Sequence, residues 1–278
     1  MTAAVISFAN HKGGVGKSTS VINLADALVR EDFSVLILDM DPQGNTTKTI
    51  GTYHSTTEGT IASLLTGDEV ALINSLQEVT KIPGVSLIGS TIKLTPLEEK
   101  IRGNEFGYSP ATLLRQKIKP LLERFDFILI DCPPALGMLT ANALAASSHY
   151  LIPTEAGSKF GIDGLDDLDE AIKRIKSINP ELVFLGCLAI KFDARKNICG
   201  LIMSQVRSRF GSMVFNTTIS DSTKFNQAIS LQKSVLMLDR KSRPAREYAK
   251  VAREILLRLG INPKKSADPD DLSDIEEA

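Results

Sequence analysis

The segment Lys12-Gly13-Gly14-Val15-Gly16-Lys17-Ser18 packs two lysines, three glycines and a hydroxyl into seven residues. That set of side chains suits phosphate. Glycines at 13, 14 and 16 let backbone N–H groups turn inward with no Cβ in the way. A helix opening near Lys17 adds the positive end of its dipole. In such a loop Lys17 reaches the β- and γ-phosphates of a nucleotide, the Ser18 hydroxyl ligates magnesium, and Thr19 meets the α-phosphate. The loop departs from the pattern G-x-x-x-x-G-K-[ST]: His11 holds the first glycine position and Lys12 is a second lysine. Lys12 lies too far round the loop to serve the same phosphates as Lys17. It is placed either to reach a nucleotide held by another subunit or to remain a solvated surface charge.

Acidic partners follow. Asp39 and Asp41, in LDMDPQGN, come directly after an apolar run. A carboxylate there could orient an attacking water or bind magnesium through water. Asp and Asn also suit turns, so capping of the next turn is the competing role. Asp131 closes the apolar run FDFILID, and Pro133-Pro134 stop it. Beside a phosphate loop, a strand closed by Asp is the magnesium side of the site; in isolation it would be a cap. Cys132 is its neighbour. One cysteine holds no iron–sulfur cluster alone, so a buried structural thiol is expected unless two subunits share one.

Several elements must position these groups. Residues 3–9 and 34–38 are short apolar runs on either side of a helical pattern at 18–29 (Val21, Leu24, Ala25, Leu28). Strand, helix and strand within about 40 residues make a βαβ unit and a parallel sheet. Residues 85–88, 127–130, 150–152 and 184–190 read as further strands. Helices are expected over 162–178 and 243–259, with several short helices across 52–120. The expected fold is α/β: a doubly wound, mostly parallel sheet with helices on both faces. One domain is expected over residues 1–262.

The chain has 278 residues and a formal net charge of −1. Residues 266–278 hold six acids and no base, which leaves +5 for the rest. The composition predicts a disordered acidic tail over 263–278 and a mildly basic body, compatible with nucleic acid. Three scattered cysteines point to a reducing compartment. No signal sequence or membrane-length apolar run is evident, so a cytoplasmic protein is expected.

Together KGGVGKS, LDMDPQGN and FDFILIDCPPALGMLT resemble the ParA branch of the ParA/MinD ATPases, whose deviant Walker A loop carries the second lysine. DPQGN, DCPP and the later FDARKN narrow the resemblance to ParA-type partition ATPases. It spans roughly residues 3–259. The resemblance implies ATP and magnesium as ligands and an ATP-dependent homodimer in which Lys12 crosses to the other subunit's phosphates. It gives Asp41 the water-activating role and Asp131 the magnesium side. It implies non-specific binding of double-stranded DNA by the dimer. A ParB-like or other cargo-adaptor protein would stimulate hydrolysis, and a plasmid, a chromosome or a protein assembly would be positioned. Arg195 matches a DNA-contacting arginine, and Lys224, Lys233 and Arg243 fall at further basic positions. Where the family has Ile-Pro-Arg-Asn near the adenine, this chain has Ile219-Ser220-Asp221-Ser222.

A MinD-like, membrane-cycling ATPase is the alternative. It needs a lipid-binding helix near the C-terminus. The amphipathic stretch 243–259 has a basic flank, yet a final helix of this fold must bury its apolar face, and the acidic tail would be repelled by anionic lipid. DNA is therefore favoured over membrane.

Overall fold

The structure is a computed structural model that describes residues 2–52, 60–67, 80–107, 109–158 and 164–264. Six strands form one parallel sheet: β1 Ala4–Phe8, β2 Val35–Asp39, β3 Val85–Ile88, β4 Phe127–Asp131, β5 His149–Glu155 and β6 Val183–Ile190. The order is β3-β2-β4-β1-β5-β6. The chain runs outward from β1 in both directions, so a topological switch lies beside β1, where ligands bind at the strands' carboxyl ends.

The strand residues alternate between two cores. Leu36, Leu38, Ile128 and Ile130 face one core, and Val35, Ile37, Phe127 and Leu129 face the other. With both faces covered, the strands read as unbroken apolar runs. The helices are α1 Lys17–Arg30, α2 Asn45–Ile50, α3 Ile61–Thr66, α4 Leu94–Arg102, α5 Leu113–Lys117, α6 Met138–Ala146, α7 Leu165–Lys176, α8 Asn197–Phe210, α9 Lys224–Ser230, α10 Val235–Leu238 and α11 Arg243–Arg258. Helices α3 to α7 cover the first face, and α1 with α9 to α11 covers the second. Helix α8 closes a smaller cluster beside β6.

Helix α7 is shorter than the periodicity implied. Gly164 precedes it in the left-handed conformation at φ 79°, and residues 162 and 163 lie outside the described residues. Helix α11 buries Pro244, Ala245, Tyr248, Val251, Ala252, Ile255 and Leu256. Its apolar stripe is thus spent on the core, and a lipid surface would have to pull it out. Among the described residues no helix is long and apolar enough to cross a membrane. Past α11, Lys264 still touches the body: its Nζ lies 3.1 Å from Asp126 and above the Phe33 ring. Residues 265–278, where a disordered tail is expected, lie outside the described residues.

Candidate nucleotide site

The loop between β1 and α1 is held from beneath. Gly16 ends it at φ 71°, and a Cβ there would collide with the Ile190 side chain at the end of β6. Gly14 has φ 75°. Both conformations are costly for any residue with a Cβ. Asn10 anchors the entry: its Nδ2 donates to the Pro153 carbonyl at 2.7 Å, and its Oδ1 accepts from Lys12 N at 3.0 Å. Lys17 is buried, and its ammonium donates to the carbonyls of Asn10 and Lys12 at 3.0 and 2.9 Å. Burial lowers its pKa, against the pull of Asp131, Cys132 and Asp41.

A cavity of about 670 Å³ opens above the loop, lined by Gly13, Gly14, Gly16, Lys17, Ser18, Thr19 and Asp41, and by Lys48, Lys191 and Gln232 among others. It lies at the carboxyl ends of β1, β2 and β6, and its size suits a nucleotide. Val15 is fully buried beneath the loop. Lys12 does not line the cavity. Its Nζ lies 3.4 Å from Glu155 Oε2 and 3.4 Å from Ser158 Oγ.

The three aspartates divide the work. Asp39 and Asp131 face each other in register on β2 and β4, and both are fully buried. Asp39 is consumed by local structure: one oxygen accepts from Thr47 N and Thr47 Oγ1, the other from Asp41 N. Asp41 caps its own turn by accepting from Gln43 N at 2.9 Å, and it also lines the cavity. Asp131 takes a 2.8 Å bond from Thr46 Oγ1, while its Oδ1 is buried with no well-formed hydrogen bond. The Ser18 hydroxyl is close enough to draw the Asp131 pKa down. A buried, unpaired carboxylate oxygen beside a hydroxyl is a fitting half-shell for a hard divalent cation that brings its other oxygens as waters and phosphates. Among the described residues no group of three or more His, Cys, Asp or Glu is placed to hold a metal unaided. Cys132 is buried, and burial pushes its thiol up to about 12, as expected of a structural thiol.

Burial, then the mutual repulsion with Asp131, pushes Asp39 up to about 8; burial pushes Asp131 up to about 6. Both carboxyls therefore bind protons more tightly in the ligand-free native state than in the unfolded chain. The native state holds the extra protons between about pH 4 and pH 8, so stability falls as pH rises through that window. Thermal melts of the ligand-free chain are expected to show a lower Tm at about pH 8 than at about pH 5, with Asp39→Asn flattening the slope. A Tm that climbs across that range would contradict this.

The basic residues expected to meet DNA fall into two places. Arg195 follows β6, is 89% exposed, and makes a two-pronged bond with Asp193. Its neighbour Lys196 reaches Asp221, and the adjacent Ser220 bonds Glu247, which also holds Arg243. Lys224 pairs with Asp239, whose carbonyl caps Ser242 just ahead of Arg243. These three form one connected patch. Lys233 lies past the far end of α9, about 10 Å along that helix, beside Gln232 at the cavity. Ser220, in the stretch near the expected base site, is tied to Glu247 through both its N–H and its hydroxyl.

Sequence reasoning did not single out Asn10, Thr46, Thr47, Glu155 or Lys191. Thr47 acts on Asp39, eight residues away, whereas the others act through contacts between residues far apart in the chain, such as Asn10 with Pro153 and Thr46 with Asp131.

The family model described as "AAA domain" matches residues 3–184. The chromosome partitioning protein ParA of Myxococcus xanthus is 34% identical over 255 residues, covering 91% of this chain and 88% of that protein. The sporulation initiation inhibitor protein Soj of Bacillus subtilis is 31% identical over 252 residues, covering 90% of this chain and 97% of its own. Among solved structures, cobyrinic acid a,c-diamide synthase of Mycobacterium smegmatis with bound ADP and magnesium superposes with a TM-score of 0.79. It is 26% identical and covers 96% of this chain and 100% of its own.

Proposed function

The chain belongs to the ParA/MinD-type P-loop ATPases, and from that premise we propose that it is a partition ATPase whose ATP-bound dimer grips DNA and lets go on hydrolysis. The carrying observation is the split of its two loop lysines. Lys17 lines the cavity with Ser18, Thr19 and Asp41, whereas Lys12 does not line it and bonds Glu155 and Ser158. A lysine so placed serves a nucleotide in a facing copy once it leaves those partners.

In this reading the loop amides and Lys17 hold the phosphates of ATP. Ser18 and Asp131 would hold magnesium, which would supply charge neutralisation at the phosphates. Asp41 orients the attacking water and accepts its proton. Lys12 of a second copy adds positive charge where negative charge accumulates on the transferring group. Each site is then completed by the other subunit, so nucleotide state governs assembly.

Arg195, Lys224 and Arg243 supply phosphate contacts that carry no sequence information, and Lys233 contributes from the cavity side. Each of the first three is paired with a carboxylate. DNA phosphates must outcompete those acids, which favours weak, salt-sensitive binding. A ParB-like or other adaptor at the cargo stimulates hydrolysis and so times the release. The cargo is a plasmid, a chromosome or another intracellular assembly, reached from the cytoplasm and nucleoid.

Co-sedimentation with plasmid DNA tests this. Binding is expected with ATP and not with ADP. Arg195→Ala is expected to weaken it about tenfold at moderate salt while ATP turnover without DNA persists. ATP-dependent binding to anionic liposomes with no binding to plasmid would overturn the DNA reading.

A further inference from the structure

Glu155 and Lys191 stand at the ends of neighbouring strands, and neither is needed to explain how the loop holds phosphate. Glu155 closes β5 in register with Ile190, the last residue of β6, and Lys191 follows directly. The Glu155 carboxylate is shared. One oxygen lies 3.4 Å from Lys12 Nζ and the other 3.3 Å from Lys191 Nζ. Lys191 also donates to the Gly14 carbonyl at 2.9 Å. Its backbone is left-handed at φ 53°, a conformation that few side-chain-bearing residues adopt. The fit around it is tight: the Ala156 N–H bonds the Ile190 carbonyl at 2.8 Å, and a Cβ on Gly157 would lie 3.2 Å from the Lys191 carbonyl.

Two consequences follow. A trans peptide points its C=O and N–H in opposite directions. By holding the Gly14 carbonyl, Lys191 therefore aims the Val15 N–H away from itself. Glu155, meanwhile, competes for Lys12 with any phosphate within the lysine's reach. Lys12 cannot satisfy both, because its ammonium must leave the carboxylate to cross to another copy.

We propose that Glu155 restrains Lys12 in the single subunit and that Lys191, by sharing the same carboxylate, weakens that restraint. The pair thus sets the ATP concentration at which two copies associate. This rests on the reading that copies associate around ATP. Both are positioning residues: they act through Lys12 and the loop.

The two residues predict shifts of opposite sign. The experiment is an ATP titration of the Asp41→Ala chain, with molecular mass followed by light scattering. Glu155→Gln leaves a neutral acceptor, so the midpoint for dimer formation should fall about fivefold, the scale of a partly exposed ion pair. Lys191→Met leaves Glu155 to Lys12 alone, so the midpoint should rise by about the same factor. Lys191→Arg should restore it. ADP affinity is the companion readout. Glu155→Gln should leave it in place, whereas a loop merely loosened by substitution would lose ADP as well.

Midpoints that stay put in both variants, or that move in the same direction, would overturn the proposal while leaving ATP-driven association intact. A parent chain that never dimerises with ATP would instead overturn the association reading, and this inference with it.

Discussion

Replacing Asp41 with alanine is expected to cut ATP turnover by about a hundredfold or more, the usual worth of a placed general base, while ATP still binds. Asp41 follows β2 by two residues, its backbone N–H is held by Asp39, and Gln43 N and Gly44 N fix the turn it begins. Its side chain lines the cavity opposite the loop. It makes no hydrogen bond to the groups proposed to hold phosphate and magnesium: Lys17 donates to the carbonyls of Asn10 and Lys12, and Asp131 accepts from Thr46. Binding and hydrolysis should therefore separate. Fluorescent-nucleotide binding and phosphate release, measured on the same preparation, check this. Turnover that survives would remove Asp41 from the chemistry and leave it as the cap of its own turn.

Lys12→Ala should be the more damaging change to the assembled enzyme. A cation delivered in trans to a transferring phosphoryl group is worth about a thousandfold or more, and the partner-stimulated rate should fall by that order. The variant should still bind ADP, because the Lys12 side chain bonds Glu155 and Ser158 and does not line its own cavity. Lys17→Ala provides the contrast. It removes the buried ammonium inside the loop, and nucleotide binding itself should be lost. If the two variants lose ADP binding equally, Lys12 serves its own loop and the split between the lysines is wrong.

Much of this site is legible in the sequence because its central pieces are local. Residues 12–19 form a contiguous loop whose glycines and lysines are spaced by its own geometry. Asp131 announces itself by closing an apolar strand, and Asp41 by following one in a turn-forming Asp-Pro-Gln-Gly-Asn stretch. The sheet is equally plain, since β2 and β4 are buried on both faces and must be continuous apolar runs. The second layer of the site is different. Lys12 meets Glu155 across 143 positions, Thr46 meets Asp131 across 85, and Lys191 meets Glu155 across 36. Each is an ordinary polar residue at a strand end or helix start, and nothing in its local pattern sets it apart. Only the parallel register, which brings the ends of β5 and β6 beside the loop, makes these contacts. Helix α11 shows the same limit from another side. Its amphipathic pattern fits a membrane surface and a core equally well, and the packing of Tyr248 and Val251 against the second face decides it.

The basic patch has a physical reason for being hard to read. Arg195, Lys224 and Arg243 are separated by loops and helices in the chain, and their acidic partners Asp193, Asp239 and Glu247 reduce the net charge that composition reports. Exposed pairs of this kind contribute little to stability, so breaking them costs little.

In the proposed cycle ATP brings two copies together, and Lys12 is what each gives the other. The mass of the Asp41→Ala chain in solution, with ATP, with ADP, and with Lys12→Ala added, tests this. A dimer is expected with ATP, a monomer with ADP, and a monomer in both once Lys12 is gone. A chain that stays monomeric with ATP, or a dimer indifferent to the loss of Lys12, would contradict it.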